Sequence, residues 1–396
     1  VDARFDFTGG SMSDAILFPT EDQLSALSQR VGGLVYGVYS FPAIDLQSSK
    51  KMAVQIASGQ TLGYVPDNLE IYENFVGRVA KVQQSERTGF VEIAYPASLF
   101  ATDIAGVLTV LFGKISFSPG LRLEAIYGDE AYLGRLQGPK FGLEGIRKRA
   151  GKSSSSHPLL MAILKPGLGP SNAPIAAQFG HLVAAGTDLV KDDETRIDIS
   201  LDDALRRLEK VLTAGAGRGI YVTHLTGPAF ELRDRALRLQ KAGAQAFLFC
   251  PYTYGLSCLQ ALCADPEIQV PIFAHPAFTG VMSSGTSAIS PQASLGTLLR
   301  WAGCDAVLYP SPYGSIALAK QDAKQVHEAL VRREGCIRQT ASVPSAGIMP
   351  EHVVRIKEDF GSDVVVNAGT GMARSGGGVE AGARAFIEEI TKYFGV

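Results

Sequence analysis

The chain has little that would suggest metal–thiolate, membrane or nucleic-acid chemistry. Its five cysteines (Cys250, Cys258, Cys263, Cys304 and Cys336) include no C-x-x-C pair and are odd in number. That argues against a zinc ribbon or a disulfide framework and for reduced thiols in the cytoplasm. Neither sign of charge dominates: 37 Lys and Arg stand against 39 Asp and Glu, for a net charge of −2. A pI of about 6.4 offers no electrostatic footprint for nucleic acid or an anionic membrane. No apolar run approaches the ~20 residues of a membrane span. The N-terminus carries no signal-peptide pattern, so a cytoplasmic location is expected.

The chain does have length and glycine. At 396 residues it suits two domains, or one domain with a large appendage. Its 43 glycines suggest many tight strand-to-helix turns. From Leu159 onward, short apolar strand candidates recur at intervals of roughly 24 to 35 residues, each followed by a helical pattern. They are Leu159–Lys165, Asp188–Asp193, Ile220–Leu225, Ala246–Pro251, Pro271–Pro276, Ala306–Pro310, Gln339–Pro344 and Val364–Ala368. Amphipathic stretches such as Ala229–Ala242 and Gln321–Arg333 lie between them. Eight such units in about 230 residues predict a (β/α)8 TIM barrel over 151–396, with a doubly wound open sheet as the alternative. Residues 1–150 read as a smaller α+β domain. Its strand candidates are Leu34–Phe41, Arg78–Gln84, Gly89–Ala94 and Leu121–Ile126, and its helical patterns Thr20–Ser28 and Ala101–Phe112. The polar run 151–156 marks the join, and residues 279–294 read as a long small-residue loop.

Asp188-Leu189-Val190-Lys191-Asp192-Asp193-Glu194 is the most charged strand end. Alternate side chains of a strand share a face, so Lys191 and Asp193 point together, with Glu194 at the turn beyond. Two carboxylates beside an amine suit Mg²⁺, and CO₂ added to Lys191 as a carbamate would be a third anionic oxygen donor. A salt-bridged strand end is the alternative.

In a barrel, catalytic groups gather at the C-terminal ends of the strands. Here those ends carry Lys165; Lys191, Asp193 and Glu194; His224; Tyr252; His275; Ser311; Ser345; and the Asn367–Gly371 turn. Lys165, closing an apolar strand, is placed to act as an acid or base. His275 is a candidate for phosphate or a substrate hydroxyl, and His224 is a weaker candidate. Ser345-Ala346-Gly347 and Asn367-Ala368-Gly369-Thr370 follow strands seven and eight, where glycines let backbone N–H groups approach phosphate oxygens.

These motifs, with Gly138-Pro139-Lys140-Phe141-Gly142, Gly145-Ile146-Arg147, Leu164-Lys165-Pro166 and Ala274-His275-Pro276, resemble the large chain of ribulose bisphosphate carboxylase (RuBisCO). More closely, the chain resembles the non-carboxylating RuBisCO-like proteins. The Pro310-Ser311-Pro312-Tyr313-Gly314-Ser315 run is similar to that of the diketo-methylthiopentyl-phosphate enolases of methionine salvage. The resemblance implies a carbamylated Lys191 that binds Mg²⁺ with Asp193 and Glu194, and a catalytic Lys165. It places a substrate phosphate at Ser345, Gly347, Gly369 and Thr370, with His275 nearby. It also implies a homodimer with its active site at the subunit interface, and a base at Lys114, for which Lys165 and the carbamate are rivals.

Departures from the carboxylases set the expected reaction. The loop after strand six has no lysine, Gly167 replaces a second lysine after strand one, and Pro276 replaces the arginine after the strand-five histidine. Ile56 and Val110 stand where the carboxylases contribute a glutamate and an asparagine. The resemblance therefore implies Mg²⁺-dependent enolisation of a phosphorylated ketose-like substrate, without carboxylation. The alternatives are a decarboxylase or hydrolase of a sugar-acid phosphate, and a non-catalytic sugar-phosphate-binding protein.

Overall fold

The computed structural model describes residues 16–64, 66, 68–152, 157–167, 172–198, 200–374 and 377–395. Residues 153–156 of the polar run lie outside the described residues. Two compact units form: Val1–Leu136 with Ser284–Ser290, and Gln137–Ser283 with Pro291–Val396.

The first unit is α+β. Strands β1 (Leu34–Pro42), β2 (Arg78–Ser85), β3 (Thr88–Pro96) and β4 (Arg122–Gly128) pair antiparallel, with β1 between β3 and β4 and β2 on the outer side of β3. The helix Glu21–Val31 starts where Thr20 and Gln23 exchange capping hydrogen bonds and stops at Gly32, which is left-handed at φ 75. It buries Leu27 and Val31 against Leu34 and Ala94. Helices Leu46–Gly59 and Leu69–Phe75 were not legible as periodic stretches. Asp45 and Asn68 cap them with side-chain acceptors.

The second unit is the barrel. Its strands are β5 (Leu159–Ile163), β6 (Leu189–Lys191), β7 (Ile220–His224), β8 (Ala246–Phe249), β9 (Ile272–Ala274), β11 (Ala306–Pro310), β12 (Ala341–Ser345) and β13 (Val365–Ala368). Each pairs parallel with its neighbour, and a parallel bridge from Ser342 to Val364 closes the ring between β12 and β13. Burial on both faces explains why these strands are nearly continuous apolar runs.

The division falls at Leu136 rather than at 150, and packing explains the correction. Helix Gly142–Arg149 sends Leu143 and Ile146 into the same core as Leu159, Ile220, Ala246, Ala306 and Ala341, the first residues of five barrel strands. Buried Asp305 holds that helix by accepting from the N–H groups of Phe141 at 2.7 Å and Gly142 at 2.9 Å.

The stretch 279–294 is also more ordered than a loop. It holds a helix (Thr279–Ser284), the two-residue strand β10 (Ala288–Ile289) and the start of a π-helical turn (Gln292–Thr297). β10 pairs parallel with β4 in the first unit's sheet. A two-residue strand has no period to read, and its partner lies far away in sequence.

Candidate active site

The C-terminal ends of the barrel strands enclose a cavity of about 390 Å³. Lys165, Lys191, Glu194, His275, Ser345, Gly347, Gly369 and Thr370, all singled out from sequence, line it. Asp193 reaches it through Lys165, whose Nζ lies 2.6 Å from Asp193 Oδ2.

Of the charged residues here only Lys191 lies in β6, and Asp192, Asp193 and Glu194 follow its end. Lys191 is 1% exposed, with its Nζ 3.2 Å from Glu194 Oε2 and 3.0 Å from the Asp192 carbonyl. Asp193 instead pairs with Lys165 and accepts from the Thr195 N–H (2.9 Å) and hydroxyl (2.5 Å). The expected convergence is thus split into two ion pairs, Lys191 with Glu194 and Lys165 with Asp193. Burial pushes the Asp193 carboxyl up, but hydrogen bonds from Lys165 and Thr195 outweigh it and hold it at about 2. Burial likewise opposes ionisation of Glu194, and the charge of Lys191 overcomes it, lowering its pKa. Both carboxylates are therefore anionic at neutral pH. Among the described residues no three His, Cys, Asp or Glu side chains gather closely enough to hold a metal ion.

His275 sits across from Glu194, Nε2 to Oε2 at 3.4 Å. Its Nδ1 accepts from the Ala277 N–H at 3.2 Å, which leaves Nε2 to carry the proton toward Glu194. Burial, reinforced by the Lys191 charge and opposed by Glu194, pulls its pKa down to about 3, so the ring is neutral.

The far side of the cavity is built from turns. Ala346 (φ 71) and Gly347 (φ 87) are both left-handed, in a turn that lines the cavity. At Gly369 a Cβ would lie 2.8 Å from Ile163 Cδ1, so a larger residue would require the Ile163 side chain to shift. The Ser345 hydroxyl donates to the Val343 carbonyl and accepts from Asn367 Nδ2, each at 2.9 Å.

Two sequence candidates are placed elsewhere. His224 is 2% exposed and does not line the cavity; its Nδ1 lies 2.9 Å from the Arg196 carbonyl and its Nε2 3.6 Å from Cys250 Sγ. Lys114 opens a 3₁₀ turn, Lys114–Phe117, in the first unit.

Sequence reading also passed over two features. Asp192 points away from Lys191 and into the helix layer, where Arg207 from helix Leu201–Gly215 meets it. Ser315 and Ile316 of the loop after β11 line the cavity. Gly167 has a steric reason, because a Cβ there would come within 2.9 Å of Asp193 Cγ.

Comparison with known proteins places this geometry. The chain is 39% identical over 361 residues to a 2,3-diketo-5-methylthiopentyl-1-phosphate enolase from Bacillus pumilus, covering 86% of this chain and 88% of the relative. A Bacillus cereus protein of the same name is 36% identical over 371 residues, covering 87% and 89%. The chain belongs to the RuBisCO-like family. Among solved structures, this RuBisCO-like chain is similar to a rubisco-like protein (MtnW) from Alicyclobacillus acidocaldarius. That match has a TM-score of 0.81 and 33% identity over 92% of this chain and 95% of the other. A Rubisco-like protein from Rhodopseudomonas palustris gives a TM-score of 0.79 at 26% identity, covering 91% and 98%. No protein-family model matches the chain. As a member of the RuBisCO-like family the chain is an enzyme, and the two-unit layout with an eight-stranded parallel barrel is the fold it shares with these structures.

Proposed function

We propose that this enzyme enolises a phosphorylated diketone of the class named by its relatives, 2,3-diketo-5-methylthiopentyl-1-phosphate. One observation carries the reading. A single cavity joins the two ion pairs of Lys165, Asp193, Lys191 and Glu194 to the glycine turns of Ser345–Gly347 and Gly369. The turns offer N–H donors to a phosphate, and the charged end faces the carbonyl carbons of a short substrate. A lysine removes the proton α to the carbonyl, with Lys165, Lys191 and Lys114 as the bases to be tested. Lys165 is well placed because its backbone is fixed on both sides by Gln178, at 3.1 and 3.0 Å, while its side chain stays 44% exposed.

The donor set also fits Mg²⁺. Asp193 and Glu194 are anionic hard-oxygen groups, and buried Lys191 lies beside Glu194, where a carbamate would replace an ammonium with a third anionic oxygen. With Asp193, Glu194 and that carbamate as its holders, the ion would withdraw electron density from a carbonyl and stabilise the negative charge of an enolate. Carboxylation is not part of the reading, because the loop after β11 carries Ser315 and Ile316 at the cavity and no lysine.

The reading extends to a homodimer, in keeping with the resemblance, and to action in the cytoplasm, in keeping with five free cysteines. No described helix is long and apolar enough to cross a membrane. The test is proton exchange: the enzyme in D₂O with the phosphorylated diketone should erase the α-proton signal in ¹H NMR. Unchanged α-proton signals at high enzyme concentration would remove the proposal.

A further inference from the structure

The loop after β11 connects Ser311 to the helix Lys320–Val331. We propose that Tyr313 and Asp359 form a latch that seats this loop on the Ala346–Gly347 turn. Tyr313 is then a positioning residue for binding the phosphate end of the substrate, and the inference rests on the functional reading above.

The loop is anchored at both ends. At its start, Ser311 is fully buried and its N–H donates to the Ser345 carbonyl at 2.9 Å. Two residues on, the Tyr313 hydroxyl donates to the Asp359 carboxylate, and it lies 3.2 Å from the Arg355 carbonyl. The Tyr313 ring packs against His352 and Phe360, with centroids 5.9 and 6.5 Å away. At the far end Lys320 Nζ reaches the same carboxylate at 2.9 Å, and Lys324 lies 3.6 Å from it. Asp359, with a side chain only 7% exposed, therefore gathers three groups from one loop and the helix that follows it. Burial opposes its ionisation, but hydrogen bonds from Tyr313 and Lys320 lower its pKa, while burial and Asp359 raise that of Tyr313. The phenol thus stays a donor and the carboxylate an acceptor, a charge-assisted pair.

The latch places the tip of the loop. Gly314 lies so close to the next turn that a Cβ would fall on the Ala346 carbonyl oxygen and come within 3.3 Å of the Gly347 nitrogen. From the other side, a Cβ on Gly347 would lie 2.8 Å from the Ser315 nitrogen and 3.0 Å from its Oγ. Ser315 thus brings one N–H and one hydroxyl to the turn that would take the phosphate, and Ile316 beside it covers the cavity. Asp359 lies on helix Val353–Phe360, which follows that same turn. Asp359 and the anion turn therefore belong to one β-strand and helix unit, so freeing Tyr313 from Asp359 frees the donors of Ser315.

The test uses Tyr313→Phe, Asp359→Asn and the double variant. In Tyr313→Phe, losing one charge-assisted hydrogen bond should raise KM for the phosphorylated diketone about 10-fold, with kcat within about 2-fold. The double variant should be no worse than the poorer single one, as expected for two halves of one contact. Inorganic phosphate, titrated calorimetrically, gives a readout independent of turnover, and Tyr313→Phe should weaken its Kd about 10-fold. Equal phosphate affinity in wild type and Tyr313→Phe would overturn the latch whatever the reaction. So would a fall in kcat accompanied by a lowered urea midpoint at constant KM. Weakened phosphate binding in an enzyme that exchanges no α proton would uphold the latch and reject the enolase reading instead.

Discussion

Arg207 and Asp192 form an ion pair shut off from solvent, Nη2 to Oδ2 at 3.1 Å, directly behind the residues that face the cavity. The same guanidinium holds Asp198 with two bonds of 2.6 Å and lies 3.0 Å from the Tyr221 hydroxyl, which donates to Asp192 at 2.6 Å. The His224 N–H completes the set on Asp192 at 2.9 Å. The carboxylate of Asp192 is thus committed outward, while its neighbour Lys191 lines the cavity and Asp193 reaches it through Lys165. Such a network holds the strand end in one register.

Replacing Arg207 by Met should therefore do more than lower stability. It leaves buried Asp192 without its cation and Asp198 with only Arg196 at 3.9 Å, at a cost of about 3–5 kcal/mol. The urea midpoint should fall accordingly, and α-proton exchange should fall with it under conditions where the variant is still folded. An unchanged midpoint would show that the network contributes nothing.

Lys191→Ala tests the carbamate. Activity should be lost, together with any dependence on added CO₂ and Mg²⁺, while the fold is kept. Full activity in that variant would remove Lys191 from the chemistry, and the two carboxylates would have to act without it.

The identity of the base is decided by comparing Lys114→Ala with Lys165→Ala in D₂O. Loss of a general base should slow exchange by about 10²–10⁴-fold. If Lys114→Ala exchanges at the wild-type rate and Lys165→Ala does not, the base is Lys165. The opposite result assigns it to Lys114.

Stability should depend on pH through a histidine outside the site. Burial holds His327 down to about 4, and its Nδ1 lies 3.0 Å from Ser342 Oγ. The unfolded chain takes up this proton near pH 6.5, before the folded one does, so the stabilisation is complete above that pH. It is lost as pH falls toward 4, by roughly 3 kcal/mol in all. His327→Gln should flatten the melting-temperature profile across that window. Parallel wild-type and variant profiles would refute the assignment.

Much of the barrel was legible from the chain alone. Parallel strands buried on both faces must be short apolar runs, and the helices between them keep their own period, so eight units can be counted. For the same reason the strand ends that could carry chemistry were readable. The domain boundary was less so, because helix Gly142–Arg149 is assigned by where Leu143 and Ile146 pack rather than by its composition. Strand β10 was missed because its partner β4 lies more than 150 residues away in sequence.

The sequence by itself determined that Asp192 points away from its neighbour Lys191, since alternation of side chains along an extended segment is local geometry. It also determined the family resemblance, the absence of the carboxylase lysines and the glycines of the two turns. Only the tertiary structure decided the partners. It paired Asp193 with Lys165 and Lys191 with Glu194, gave Asp192 to Arg207, and joined Tyr313 to Asp359 across 46 residues of chain. Which charges meet depends on how separate elements pack against one another, and that is long-range geometry no local pattern encodes.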